Sequence, residues 1–137
     1  MVSYDFVPVD LGRALAHISL PMIKVAEVVV LIVGTDLSSA IVIRTVWEYL
    51  KNRGIDSRRL YPFQNRSVGL EGLTETGLEQ MIGMQIQLTM PYMSGNFTIA
   101  NNLHEPVIAK YPNDASTLIL KQAAIQIAEL GERVPGY

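Results

Sequence analysis

Cysteine is absent from the 137 residues, and charge is scarce. Asp, Glu, Lys and Arg make up 18% of the chain, against roughly 25% in an ordinary globular domain. The first absence excludes disulfides, thiolate nucleophiles and cysteine-held zinc. The second leaves little polar side chain to cover a surface, because apolar residues account for 49%. A subunit that buries part of its outside against neighbours has this composition, since obligate interfaces resemble cut cores. Only two histidines are present, His17 and His104. Neither is accompanied by a ligand set, so no metal site is expected. No G-x-x-x-x-G-K-[ST] loop and no G-x-G-x-x-G occurs, and no nucleophile–base pair is set out by spacing. The chain reads as non-enzymatic and without a cofactor.

Basic residues are few as well. The formal net charge is −2, which argues against a nucleic-acid binder, because phosphate neutralisation needs a basic stripe. The densest basic stretch is Lys51, Arg53, Arg58, Arg59 and Arg66, and it reads as a solvated helix end. No basic leader opens the sequence, which carries Asp5 and Asp10 early. The most apolar window, residues 25–33, is too short to cross a bilayer. Gly34, Asp36 and two serines follow it, so no transmembrane helix is expected.

What is present is an alternation of elements in one domain, residues 1–137. Residues 1–9 read as extended. Residues 10–18 read as a short helix capped by Asp10 and broken by Pro21. Residues 25–33 are mostly β-branched and predict a buried strand. Asp36 then caps a helix over 37–52, with Val42, Ile43, Val46, Tyr49 and Leu50 on its apolar face and Gly54 after its end. Residues 55–72 read as a loop. Thr74 caps a third helix over 74–83, and the alternation of residues 84–90 predicts a strand. Residues 97–100 and 104–110 predict two further short strands, and residues 115–130 a final apolar helix. This is an α/β chain, drawn as an α+β sandwich.

Three stretches carry a resemblance. LIVGTD (31–36) is similar to a strand ending in G-H-T-D. VWEYLKNRGIDSRRL (46–60) is similar to V-x-x-Y-L-x-x-x-G-I-D-x-x-R-L. TETGLEQMIGMQIQL (74–88) is similar to T-x-E-G-R-x-x-N-R-R-V-E-I. In this order they resemble the OmpA-like, peptidoglycan-associating domain, with residues 10–88 as its core and 89–137 as an extension. The resemblance implies a bacterial envelope or secretion-type setting, hence the periplasm; a virion or a cytoplasmic filament is the other setting the composition fits. The ligand-binding Asp of that family falls on Asp36, but its Arg falls near Val42, its N-R-R on Met81, Ile82 and Gly83, and the Arg of its G-R on Leu78. Arg can grip a carboxylate bidentately; valine and leucine cannot. Peptidoglycan binding then needs a cation recruited from elsewhere, Arg44 or Arg66. The replaced positions, Val42, Leu78, Met81 and Ile82, together with Trp47, suit a contact with another protein. The expectation is therefore a structural subunit whose partners are copies of itself or neighbouring subunits, with a peptidoglycan-binding module as the alternative.

Overall fold

VVLIV, residues Val29–Val33, forms strand β1. In the computed structural model, which describes residues 4–12, 17–65, 73–93 and 95–133, it pairs in parallel with β2 (Leu60–Asn65) from Val29–Leu60 to Val33–Gln64. The short strand β3 (Leu88–Met90) pairs in parallel with the far end of β2. Sheet order follows chain order, β1-β2-β3. Parallel neighbours need a crossover, and α2 (Leu37–Asn52) and α3 (Glu75–Ile82) supply the two crossovers. The α/β class expected from the alternation is the one observed.

Helices cover both faces. Leu31 packs with Ile23, Leu50, Ile55 and Leu60, so α1 (Ser19–Val25) and α2 share one side. Val33 continues that side against Ala40, Leu78 and Ile82. Tyr61, Phe63 and Met90 face the other way, onto Ala123 and its neighbours in α6 (Ala115–Arg133). Between β3 and α6 lie α4 (Gly95–Asn102) and the single turn α5 (Val107–Lys110).

The capping residues work as read. Asp36 and Thr74 accept the amide hydrogens of Ser39 and Gly77. The end of α2 is a Schellman motif: Ile55 N donates to Leu50 O and Gly54 N to Lys51 O. Gly54 takes φ +79°, which a Cβ would strain. Leu50 and Ile55 close the motif with a hydrophobic contact.

Five expectations fail here. The loop over 55–72 contains the central strand, whose Leu60–Gln64 are all buried. Pro62 hid it, because a central strand has no place for a missing N–H. Its carbonyl accepts from Gln87 N, so its nitrogen also faces the β3 side. The β2–β3 ladder begins one residue later, at Phe63, and no bond to β1 is lost. Residues 97–100 are helical within α4, and the 104–110 segment gives α5: a short apolar run does not declare its own period. The strand over 84–90 shrinks to Leu88–Met90. The first helix lies at Ser19–Val25 with Pro21 inside its first turn, where no intrahelical N–H is due; residues 13–16 lie outside the described residues.

Arg59 corrects another expectation. It is buried, not solvated, and its Nη2 donates to the carbonyls of Ile23 (2.8 Å), Lys24 (3.0 Å) and Ala26. A cation thus caps the C-terminal end of α1, where carbonyls and helix dipole both favour it. Arg58, one residue earlier, stays outside and grips Asp56 through two nitrogens. That grip, with the Arg58 amide, draws the Asp56 carboxyl down to about 2.

Candidate functional site

Ligands of parallel α/β sheets sit beyond the carboxyl ends of the strands. Here that end is formed by Gly34, Thr35 and Asp36 after β1, Asn65 as the last residue of β2, and Pro91 and Tyr92 after β3. Asp36 is exposed, and both its oxygens are already engaged: Oδ1 accepts from Ser39 N (2.8 Å) and Oδ2 from Ser39 Oγ (2.5 Å). Gly34 lies so close that a Cβ there would come within 2.7 Å of Ser39 Oγ. These contacts make Asp36 first a helix cap.

The Ser39 hydroxyl, then the Ser39 amide, hold the Asp36 carboxyl below its ordinary 3.8. A carboxyl whose folded value is depressed stabilises the fold above the unfolded value and loses that effect as pH falls through the folded one. The gap in melting temperature between the parent and Asp36→Ala should therefore be flat from about pH 8 to 5 and close below about pH 4. A gap unchanged down to about pH 2 would refute a charge-assisted cap.

Arg44 does not reach this carboxylate. It lies two turns along α2 and pairs with Glu48 at 3.1 Å on the exposed face. Arg66 lies outside the described residues. Of the residues expected at an interface, Leu78 and Ile82 are spent in the core, at 0% and 1% exposure. Met81 packs partly against them, and Trp47 packs partly against the Leu50 cluster. Only Val42 stands free, 59% exposed. The reason is geometric: α3 crosses back over α2, so the stripe that spacing made available to a partner is covered by the chain's own helix.

A polar relay missed in the sequence runs behind Asn65. Thr89 Oγ1 lies 2.6 Å from Glu75 Oε2 and 3.0 Å from the Gln64 amide oxygen. One hydroxyl proton cannot serve two acceptors. The shorter, charged contact takes it, so the Gln64 amide is better turned with its NH₂ toward Thr89. Gln64 is fully buried, and its amide nitrogen has no partner as placed. Nothing in the loop-like sequence around Pro62 marked it as central.

Two small concavities occur among the described residues, both below the roughly 300–1,000 Å³ usual for small-molecule sites. One, of about 270 Å³, lies beside Lys24, Val25 and Arg53; the other, of about 180 Å³, lies between α4 and α6 beside Pro91, Phe97, Val107 and Ser116. Asp114 crosses it, accepting from Asn96 Nδ2 (3.0 Å) and Ser116 N (2.9 Å); the Ser116 amide, then Asn96, lower its carboxyl. No three His, Asp or Glu side chains converge on a metal-sized site among the described residues. No helix among them is long and apolar enough to cross a membrane.

The most unusual surface is β1 itself. Leu31 and Val33 are buried, while Val30 and Ile32 on the opposite face are 40% and 57% exposed. Among the described residues, β1 has one neighbour, β2, and its other edge is open. A strand apolar on both faces has the composition of a sheet interior, yet this one lies at the rim.

No protein-family model and no curated protein matches the sequence. Among solved structures, the crystal structure of a ParA family ATPase from Chlorobium tepidum TLS is similar, with a TM-score of 0.74 at 14% identity over 83% of this chain. The likeness spans 48% of that protein, so this chain accounts for about half of its length. It overturns the OmpA-like assignment. The stretches behind that assignment are generic pieces of a parallel βαβ fold: a strand running into a capped helix, and a helix leaving through a Gly-Ile Schellman motif. In architecture, this chain is similar to part of a ParA family ATPase.

Proposed function

We propose that the chain is a non-catalytic assembly subunit, an α/β layer whose sheet is completed by another polypeptide segment. The observation that carries this reading is β1, apolar on both faces, with Val30 and Ile32 part-exposed on one face and one edge open among the described residues. Natural sheet edges are guarded by lysine, proline or a bulge, and VVLIV has none of these. The low charge fraction supports the same reading. Light scattering across a concentration series should give a mass above the 15.2 kDa of one chain. A single-chain mass at every concentration would remove the proposal.

A second reading, nucleotide hydrolysis, is favoured by the likeness to a ParA family ATPase. These 137 residues contain no G-x-x-x-x-G-K-[ST] loop to cradle phosphates. The chain by itself should therefore release no phosphate from ATP above the rate of a buffer blank. Turnover that saturates with ATP would reverse the order of the two readings.

A further inference from the structure

Residues 4–10, YDFVPVD, form an irregular segment, bent at Asp5, with no strand partner among the described residues. Four of its apolar side chains are exposed: Tyr4 (72%), Phe6 (69%), Val7 (72%) and Val9 (52%). Leu11, directly after it, packs into the cluster that holds Leu31 of β1. The fold thus anchors an irregular, apolar segment in the same cluster as a strand whose outer edge is unpaired among the described residues, without joining them.

Resting on the assembly reading above, we propose that the open edge of β1 is occupied by residues 4–9 of a second copy of this chain, exchanged reciprocally in a dimer. Pro8 sets the register. In a strand, the N–H and C=O of successive residues face alternate neighbours. Pro8 has no N–H, so residues 4, 6 and 8 face outward, and residues 5, 7 and 9 face β1. Side chains alternate with the same period. Tyr4 and Phe6 share one face of the completed sheet, and Val7 and Val9 share the other. The new outer edge then carries Pro8, which guards it against a further strand. The exchange closes at two copies and does not propagate.

The area suffices. A buried aromatic removes ~150–250 Å² from water, so Tyr4 and Phe6 of two exchanged segments, four rings, bring roughly 600–1,000 Å² at most. Val7, Val9 and the surfaces they cover raise the total above the roughly 1,200 Å² of a stable interface. Pairing two five-residue β1 strands directly would bury far less.

The test uses the full chain and three exposed-site variants. The parent should run as a dimer by light scattering at about 50 μM, a level at which a standard-size interface is populated, with Val29–Val33 amides protected from hydrogen exchange. Ile32→Lys should give a folded monomer whose melting temperature no longer depends on protein concentration, and so should Val7→Pro, which removes an inward N–H. Asp5→Ala keeps every N–H and every apolar contact of the segment and should keep at least half of the dimer. A peptide of sequence YDFVPVD, added to the Val7→Pro chain, should restore amide protection. A parent that is monomeric throughout would overturn the assembly reading itself. A dimer insensitive to both Ile32→Lys and Val7→Pro would leave assembly standing and overturn this seat. A monomer with protected β1 amides would place the segment on its own β1 and overturn the exchange.

Discussion

Replacing Arg59 with methionine is expected to lower the unfolding free energy by about 3 kcal/mol and the melting temperature by about 10 °C. The side chain is 2% exposed and holds the carbonyls of Ile23, Lys24 and Ala26 together. These are the acceptors at the end of α1 that have no intrahelical partner. Methionine fills similar volume but donates nothing, so the carbonyls must open to water or stay unmatched. The three contacts with Ile23, Lys24 and Ala26 converge on Nη2, whose two N–H bonds are shared among three carbonyls. An ammonium with three N–H bonds suits that geometry, so Arg59→Lys should retain more than half of the lost stability. Denaturant unfolding of the two variants checks the pair. A methionine variant within about 1 kcal/mol of the parent, or a lysine variant no better than methionine, would show that the clamp is not what holds α1.

Leu78→Ala should cost about 3–4 kcal/mol, the range for a leucine removed from a packed core. Leu78 is wholly buried and meets Val33, Ala40 and Ile82 where α2, α3 and β1 converge. Val42→Ala, one exposed turn away on α2, should change stability by no more than about 0.5 kcal/mol. The contrast separates a core position from a surface one. If Leu78 served an interface, its truncation would shift the dissociation constant and leave the unfolding of one chain nearly unchanged. Equilibrium unfolding at two protein concentrations reads both quantities. Equal and small losses for the two variants would contradict the core placement.

These effects also mark what the sequence could yield. The α2 boundaries, the β1 run and the caps at Asp36 and Thr74 were legible because their signals are local: a side-chain oxygen, a glycine after the last turn, a β-branched run. β2 was not legible. Its status as the central strand depends on Pro62 turning its nitrogen toward a neighbour that starts one residue later, which is a property of the sheet. Residues 97–100 resemble a strand because four apolar or β-branched residues fit two periods equally well. At the candidate site, Asp36 as a cap was legible from spacing. The burial of Leu78 and Ile82, the inward turn of Arg59 and the Glu75–Thr89–Gln64 relay were not, since each requires partners 14 to 49 positions away to be in place. The OmpA-like resemblance failed for a related reason: its most specific stretch encodes how a helix stops, and many folds stop helices that way.

The parallel ladder has a consequence for synthesis. Val29 must wait for Leu60, and Val33 for Gln64. At roughly 5–20 residues per second, β1 leaves the ribosome about 2–6 s before its partner strand exists. During that interval VVLIV has no neighbour on either side, no charge to keep it solvated and, after it, a helix whose own apolar face is also uncovered. The nascent chain therefore passes through a stage dominated by one sticky strand. Yield in a cell should depend on how fast residues 34–65 follow it, and on whether a chaperone reaches β1 before another nascent copy does.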